Sequence, residues 1–193
     1  MDIINSTKQY VIEKCMEYKN EAEDSYDFWN NHIKYVYEES KKLANLYGAD
    51  NEIVSLGALL HDIALILKVG DRKDHHINGE ILARKILDDY NYDSEKKDRV
   101  LKCVYNHRSS KNATSIEELC VADADILAHF DNIPMLFNSA FNRNNVNLND
   151  VRKWMSDCFM KDYNDLSDKT KEQFKERYNT ICDVVLGENN YGN

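Results

Sequence analysis

Apolar side chains recur at helical spacing along most of the chain, and no segment alternates with the two-residue period of a strand for long enough to count. In residues 26–47, for example, Ile33, Val36 and Leu43 fall on one face of a helix, and Gly48 follows where a left-handed C-cap belongs. Only 6 glycines and 1 proline occur in 193 residues, too few for the many tight turns of a sandwich or barrel. The pattern therefore predicts an all-α fold.

The same spacing predicts nine helices joined by short polar loops, at residues 7–18, 26–47, 51–67, 75–90, 94–107, 115–132, a short segment led by Pro134, 149–163 and 167–186. The third is apolar nearly all round, which is typical of a core helix, and Asp50 or Asn51 caps it. Thr114 with Glu117 suggests a capping box for the sixth. The asparagine-rich segment 142–150 favours turns. We expect one domain over 1–193, with a core at about 26–132 and two extra C-terminal helices at about 149–187.

The charge balance restricts the partners of this domain. There are 34 acidic and 25 basic residues, a net charge of −9, which disfavours binding to a nucleic-acid polymer but permits small phosphorylated substrates. No apolar run approaches the roughly 20 residues that cross a bilayer, and the first residues lack the basic and apolar regions of a signal peptide. Five scattered cysteines without a CxxC pair are typical of a reducing compartment. We expect a cytoplasmic protein with no membrane partner; its oligomeric state stays open.

A histidine–aspartate doublet, His61-Asp62, lies inside the most apolar helix. Burying a charge there costs several kcal/mol unless it is paired or binds a metal. The doublet alone is equally typical of a neutral core histidine hydrogen-bonded to its neighbour. His32, one helix upstream, and a carboxylate in 121–127, on a later helix, add nitrogen and oxygen ligands. Together these residues suggest a divalent metal site.

The order His32, His61-Asp62, Asp125 resembles the HD-domain superfamily of metal-dependent phosphohydrolases. The supporting segments are 58–63 (ALLHDI) and 123–127 (DADIL), and the resemblance spans about 26–132. It implies an all-helical core and a divalent metal held by those four residues. It also implies hydrolysis of phosphate esters by metal-activated water. The metal itself, among iron, manganese, zinc, cobalt, nickel and magnesium, is not distinguished.

Two further histidines resemble ligands of a second metal in some HD subfamilies. His75 begins a His-x-x-x-Gly segment, and His107 lies in VYNHR (104–108). The resemblance implies up to two ions with Asp62 as the bridge, and Asp62 and His107 as the catalytic residues. The alternative is that His75 and His107 support a single ion or contact the substrate. His76 and His129 are interpreted as ordinary surface or near-surface histidines.

Which aspartate of 123–127 binds the metal is not settled by periodicity. Asp123 falls on the apolar stripe of its helix, which favours it as the inward-facing residue. The family pattern places the ligand two residues before the leucine, which is Asp125. We follow the family pattern.

Cations near the doublet are candidates for binding the phosphate. Arg108 is the first choice because a guanidinium binds phosphate through two hydrogen bonds. The loop after the doublet adds Lys68, Arg72 and Lys73, of which Lys73 is the second choice. That loop is also typical of a solvated surface segment, and the aromatic residues around His32 are more typical of helix packing than of base stacking.

The substrate is expected to be a nucleotide or dinucleotide. Ile63-Ala64-Leu65-Ile66 follows the doublet and carries no acidic residue, so the resemblance does not extend to the HD guanosine tetraphosphate hydrolases or 5′-deoxynucleotidases. The Gly-Tyr-Pro segment of cyclic-di-guanylate phosphodiesterases is also absent. A regulatory module that binds a metal or nucleotide without turnover is the alternative, and a di-iron oxygenase ranks third.

Overall fold

The computed structural model describes residues 2–22, 26–142 and 147–187, and these residues form helices and no strand. The α-helices, in chain order α1 to α10, are Ile3–Glu21, Lys34–Tyr47, Asn51–Leu60, Ile63–Ile66, His75–Asp89, Ser94–Asn106, Ile116–Asp131, Ile133–Phe141, Leu148–Asp165 and Asp168–Leu186. A π-helical turn, Trp29–Ile33, leads into α2, and 3₁₀ turns lie at Arg72–Asp74 and Ser110–Asn112. The all-α prediction is confirmed. No described helix is long and apolar enough to span a lipid bilayer.

The core is built around α3, whose residues from Ile53 to Leu60 are all buried. This helix packs against α2, α6 and α7, and α2 packs in turn along α7. The predicted caps at both ends of the α2–α3 connection are present: Gly48 has a φ of 73°, and the Asp50 side chain accepts hydrogen bonds from the first turn of α3. These four helices form the frame around which the histidines and carboxylates are arranged.

The predicted third helix is interrupted at His61-Asp62, which separates α3 from α4. The Nδ1 atom of His61 donates a hydrogen bond to the carbonyl of Ala58, 2.7 Å away. A continuous helix would offer that oxygen to the backbone N–H of Asp62. Asp62 adopts φ −105° and ψ 18°, outside the helical region, and begins the short helix α4. The doublet therefore lies at a helix end.

Two other local predictions differ from the structure. His32 lies in the π-helical turn rather than in a regular helix; such turns are frequent at functional sites. At the start of α7 the N-cap is Ser115, not Thr114, and the Ser115 side chain accepts from the N–H of Glu118. The Glu118 carboxylate accepts hydrogen bonds from Thr114 instead. Part of the segment 142–150, namely 143–146, lies outside the described residues.

The C-terminal helices pack on one another and on α7. Pro134 occupies the first turn of α8, and α10 ends at Gly187 with a φ of 70°, both as predicted. The ring of Phe130 on α7 lies 5.1 Å from that of Phe159 on α9 and 5.0 Å from that of Phe174 on α10. The division into a core and a C-terminal extension stays a prediction.

A close approach of α3 to α6 holds the doublet next to the end of α6. A Cβ atom added at Gly57 would lie 2.6 Å from the Cβ atom of Cys103, closer than carbon atoms pack. We expect Gly57→Ala to lower the free energy of unfolding by about 2 kcal/mol, because overpacking outweighs the gain in helix propensity. Urea denaturation measures this change. A variant as stable as the wild type would show that the two helices separate at no cost.

Candidate metal centre

The first half of the cluster is formed by His32, His61, Asp62 and Asp125. The Nε2 atom of His32 lies 3.0 Å from Oδ1 of Asp125, 3.1 Å from Nε2 of His61 and 3.6 Å from Oδ2 of Asp62. His61 Nε2 is 3.6 Å from the same Asp62 oxygen. The π-helical turn, the α3–α4 break and helix α7 thus bring to one point the four residues that the motif order selected.

The second half uses the other oxygen of Asp62. Its Oδ1 atom is 3.3 Å from Nε2 of His75 and 3.7 Å from Nε2 of His107, and the two Nε2 atoms lie 3.0 Å apart. Gly79, one turn after His75, lies against these elements: a Cβ atom there would be 3.3 Å from Cγ1 of Val104 and 3.4 Å from the backbone oxygen of His61. Asp62 therefore stands between two pairs of imidazoles.

Backbone carbonyls orient three of the four imidazoles. Nδ1 of His61, His75 and His107 lies 2.6–2.7 Å from the carbonyl oxygen of the residue three positions earlier. Because a carbonyl oxygen only accepts, each Nδ1 carries the proton, and each Nε2 presents a lone pair to the cluster. This is the arrangement that metal-binding histidines in proteins commonly have.

Burial and neighbouring charges shift the pKa values of Asp62, Asp125 and His107. Burial would raise the pKa of Asp62, but the neighbouring His61 and His32 hold it below its ordinary value. Burial would likewise raise the pKa of Asp125, and the hydrogen bond and charge of His32 hold it far below its ordinary value. Burial and the proximity of His61 lower the pKa of His107 to about 4. At neutral pH, both carboxylates are therefore charged and His107 is neutral.

This donor set fits divalent metal ions. The Nε2 atoms of His75 and His107 lie 3.0 Å apart, and in neutral rings that donate from Nδ1 their lone pairs face each other, an arrangement that a shared cation stabilises. Donor atoms that bind one ion at about 2.1 Å at right angles lie roughly 3 Å apart, close to the spacings seen here. One group is His32, His61 and Asp62, a second is Asp62, His75 and His107, and each brings its ligand atoms within 4.8 Å of one another.

The structure separates the two aspartates that periodicity left open. Asp123 is fully buried, as its place on the apolar stripe indicated, but it faces away from the histidines. It accepts hydrogen bonds from the hydroxyls of Ser110, Ser167 and Thr170 and from the backbone N–H of Ser167. Asp125 is the residue that contacts His32.

The cluster opens into a cavity of about 620 Å³. Arg108 lines it, and its guanidinium donates to the carbonyl of Lys73. The Lys73 side chain is 74% exposed, points to Asp71 and does not line the cavity, whereas Arg72 from the same turn does. Substrate contact by Lys73 thus stays a prediction that the cavity lining does not support, and Arg72, its neighbour in the same turn, is the candidate that reaches the cavity.

Some of the aromatic residues near His32 also reach the cavity. Tyr26 and Phe28 line it, together with Tyr18 from α1, whereas the other aromatic residues of that segment (Trp29, Tyr35 and Tyr37) do not. The rings of Tyr18 and Tyr26 each meet Phe28 edge-on, with centroids 4.8 Å apart. Tyr18, Tyr26 and Phe28 therefore form one wall of the cavity.

His129, interpreted as an ordinary surface or near-surface histidine, does lie near the surface but also contacts the cluster. It is partly buried, lines the cavity and stacks on His32, with ring centroids 6.0 Å apart. Its Nδ1 atom lies 2.9 Å from Oδ2 of Asp162 on α9. Burial lowers its pKa, but the hydrogen bond to Asp162 and the charge of Asp125 outweigh this and raise it above the ordinary value. Its position one turn after Asp125 is the sequence signal that places it on the same face of α7.

His76 is a near-surface histidine, in agreement with its interpretation. It is partly buried between His75 and Tyr105, with ring centroids 5.9 and 5.4 Å away. Its Nδ1 atom is enclosed and has no hydrogen-bond partner among the described residues. Burial, together with the nearby Arg108, lowers its pKa. It does not belong to the group around Asp62.

Comparison with known proteins agrees with this site. A model of the HD domain matches residues 30–129, and the chain belongs to this family. All six residues of the cluster lie within the match. A curated relative, the tRNA (cytidine(56)-2′-O)-methyltransferase of Picrophilus torridus, is 30% identical over 146 residues, which cover 67% of this chain and 40% of that protein. The chain thus spans less than half the length of this relative.

Solved structures share the fold over nearly the whole chain. An HD-superfamily hydrolase from Bacillus thuringiensis has a TM-score of 0.69 at 18% identity, covering 94% of each chain. A predicted HD superfamily hydrolase from an uncultured Thermotogales bacterium has a TM-score of 0.64 at 19% identity, covering 92% of this chain and 88% of that one. The Lin1889 protein from Listeria innocua has a TM-score of 0.62 at 23% identity, covering 93% and 94%. These likenesses extend the shared fold beyond the family match into the C-terminal helices.

Proposed function

We propose that the chain is a metal-dependent phosphohydrolase that cleaves a small phosphate ester, a nucleotide or dinucleotide. One observation carries the proposal: each oxygen of Asp62 faces its own pair of imidazoles, at the base of a cavity that also holds two arginines. Carboxylate and imidazole donors that converge from both sides of one aspartate suit a centre of two divalent ions. The anionic group of the substrate then has both metal charge and guanidinium groups available to it.

The residues of the chain divide into three roles. His32, His61 and Asp125 would hold one ion, His75 and His107 the other, and Asp62 would contact both. The carbonyl-bound Nδ1 atoms fix the ring orientations, so that little reorganisation is needed when an ion or a substrate binds. Bound divalent ions would lower the pKa of a water molecule and withdraw charge from a phosphoryl oxygen.

Arg108 and Arg72 would bind and orient the phosphate. Neither forms an ion pair with a carboxylate within the described residues, so their charge is available to a ligand. The hydrogen bond from Arg108 to the carbonyl of Lys73 fixes the guanidinium against the 3₁₀ turn beside His75. A guanidinium held in this way binds a phosphate through two parallel hydrogen bonds.

Turnover of a phosphate-ester panel tests the proposal. The purified protein would be incubated with Mn²⁺, Fe²⁺ or Co²⁺ and with nucleoside mono-, di- and triphosphates, dinucleotides and simple phosphate monoesters. We expect phosphate or pyrophosphate release with at least one metal. Arg108→Met should reduce kcat/KM by about tenfold to a hundredfold, and Lys73→Met should leave it unchanged. Metal or nucleotide binding without turnover of any substrate would contradict the proposal and favour a regulatory module.

A further inference from the structure

The wall of the cavity opposite the HD core comes from the C-terminal helices. Helix α8 contributes Met135, Leu136 and Ser139, and helix α9 contributes Trp154 and Lys161. All five follow residue 129, where the match to the HD domain ends. The family match thus includes the metal cluster and both arginines but not this wall of the cavity.

Helix α9 presents two different groups to the cavity on one stripe. Trp154 and Lys161 are seven residues apart, which places them on the same face and about 10 Å apart along the helix axis. The adjacent stripe, Val151, Met155 and Phe159, is buried in the core and fixes the rotation of the helix. A large planar ring and an ammonium group are therefore held at a defined separation.

Lys161 and Arg108 lie at opposite sides of the metal cluster. Lys161 precedes Asp162, which holds His129 against His32, so this end of α9 lies beside the first half of the cluster. Arg108 follows His107 and belongs to the second half. A polyanion that reaches from one cation to the other would pass over Asp62.

The charge of Lys161 is not neutralised within the part of the chain that the structure describes. Its side chain is exposed and forms no ion pair there, whereas many other lysines do so, as in the pairs Lys96–Glu52 and Lys19–Asp27. In a chain with a net charge of −9, an ammonium group without a carboxylate partner in a cavity favours an anionic ligand. The cavity volume, about 620 Å³, lies within the usual range for small ligands.

We infer that α9 recognises the substrate and that the substrate is a nucleotide with more than one phosphate group. The base packs on Trp154, Lys161 pairs with a phosphate outside the cluster, and the phosphate chain extends towards Arg108. The inference rests on the proposed function for the identity of the site, but it concerns binding and not the chemical step. Trp154 and Lys161 are thus specificity-determining residues of a segment that the HD match does not include.

Tryptophan fluorescence measures this binding without turnover. The chain has two tryptophans, so Trp29→Phe leaves Trp154 as the sole indole, and Trp29 does not line the cavity. In this background, metal-free protein would be titrated with ATP, GTP, CTP and dTTP, with AMP and with inorganic triphosphate. We expect at least one nucleoside triphosphate to quench the emission, because a base stacked on the indole alters its surroundings. Inorganic triphosphate should leave the emission unchanged.

A variant of Lys161 and a matched control measure the contribution of the Lys161 ammonium group to binding. Lys161→Met should weaken the binding of the triphosphate and of AMP roughly tenfold, since it removes one charge-assisted contact to the phosphate nearest the nucleoside. Lys153→Met, an exposed lysine on the same helix, is the matched control and should change neither. Equal triphosphate affinity in Lys161→Met and wild type, or no response of Trp154 to any of the four triphosphates, would overturn the inference.

The outcome is independent of the proposed hydrolysis. Quenching by a triphosphate that is weakened by Lys161→Met, in a protein that hydrolyses nothing, would support the role of α9 and contradict the hydrolase. Conversely, hydrolysis of nucleotides with the same KM in wild type, Trp154→Ala and Lys161→Met would support the hydrolase and overturn the role of α9.

Discussion

Asp62→Asn is expected to lower phosphohydrolase turnover by roughly 10³-fold or more. Asparagine keeps the shape of the side chain but removes the charge that four imidazoles share. Its amide nitrogen would also direct hydrogens at the Nε2 lone pairs on one side of the cluster. Both halves of the centre should therefore lose affinity for divalent ions together. Removal of a single histidine, which faces only one oxygen of Asp62, should affect only one half.

The measurement is kcat with the best metal and substrate of the panel, together with metal content after gel filtration. Asp98→Asn is the control, because Asp98 is 65% exposed on α6 and touches only Arg84 among the ion pairs of the described residues. It should retain wild-type turnover and metal. An Asp62→Asn protein that is folded and keeps more than about a tenth of the wild-type kcat would contradict the role of Asp62.

The second large effect concerns stability and not catalysis. Asp123→Ala should lower the free energy of unfolding by about 3 kcal/mol, because three hydroxyls and one backbone N–H lose their buried acceptor. These groups belong to the Ser110–Asn112 turn and to the start of α10, so the loss should loosen the contact between α7 and the last helix. Part of the effect is offset, since the variant no longer buries a carboxylate.

Chemical denaturation of metal-free protein measures this change in the free energy of unfolding. The control is Asp157→Ala, because Asp157 is exposed on α9. Its free energy of unfolding should change by less than about 0.5 kcal/mol. Asp125→Ala should behave in the opposite way, with loss of metal and a smaller loss of stability. If Asp123→Ala lost metal and kept its stability, the assignment of the two aspartates would be reversed.

Periodicity was sufficient for the helices but not for the details of the cluster. Residues 51–60 are apolar nearly all round, and a core helix follows directly from that pattern. The break at His61-Asp62 depends on a side chain that takes the carbonyl of Ala58, and hydrophobic patterning carries no information about it. The π-helical turn at Trp29–Ile33 is absent from the prediction for a similar reason, because the segment has ordinary helical spacing.

The two aspartates show how burial and function differ. The stripe of α7 correctly marked Asp123 as inward-facing, but an inward carboxylate can be satisfied by hydroxyls as well as by a metal. Distinguishing them required the family pattern, which placed Asp125 beside His32. Neither periodicity nor a motif could predict that Trp154 and Lys161 line the cavity. Their position depends on how α9 packs against α7, a helix that precedes it in the chain by more than 15 residues.

The number of divalent ions bound per chain is the most direct test of the centre. Purified protein loaded with Mn²⁺ and freed of excess ion should contain two ions, and a His75→Ala, His107→Ala double variant should contain one. Asp62→Asn should contain neither at the same concentration. A folded wild-type chain that binds no divalent ion, or an Asp62→Asn chain with the wild-type number, would contradict a metal centre built around Asp62.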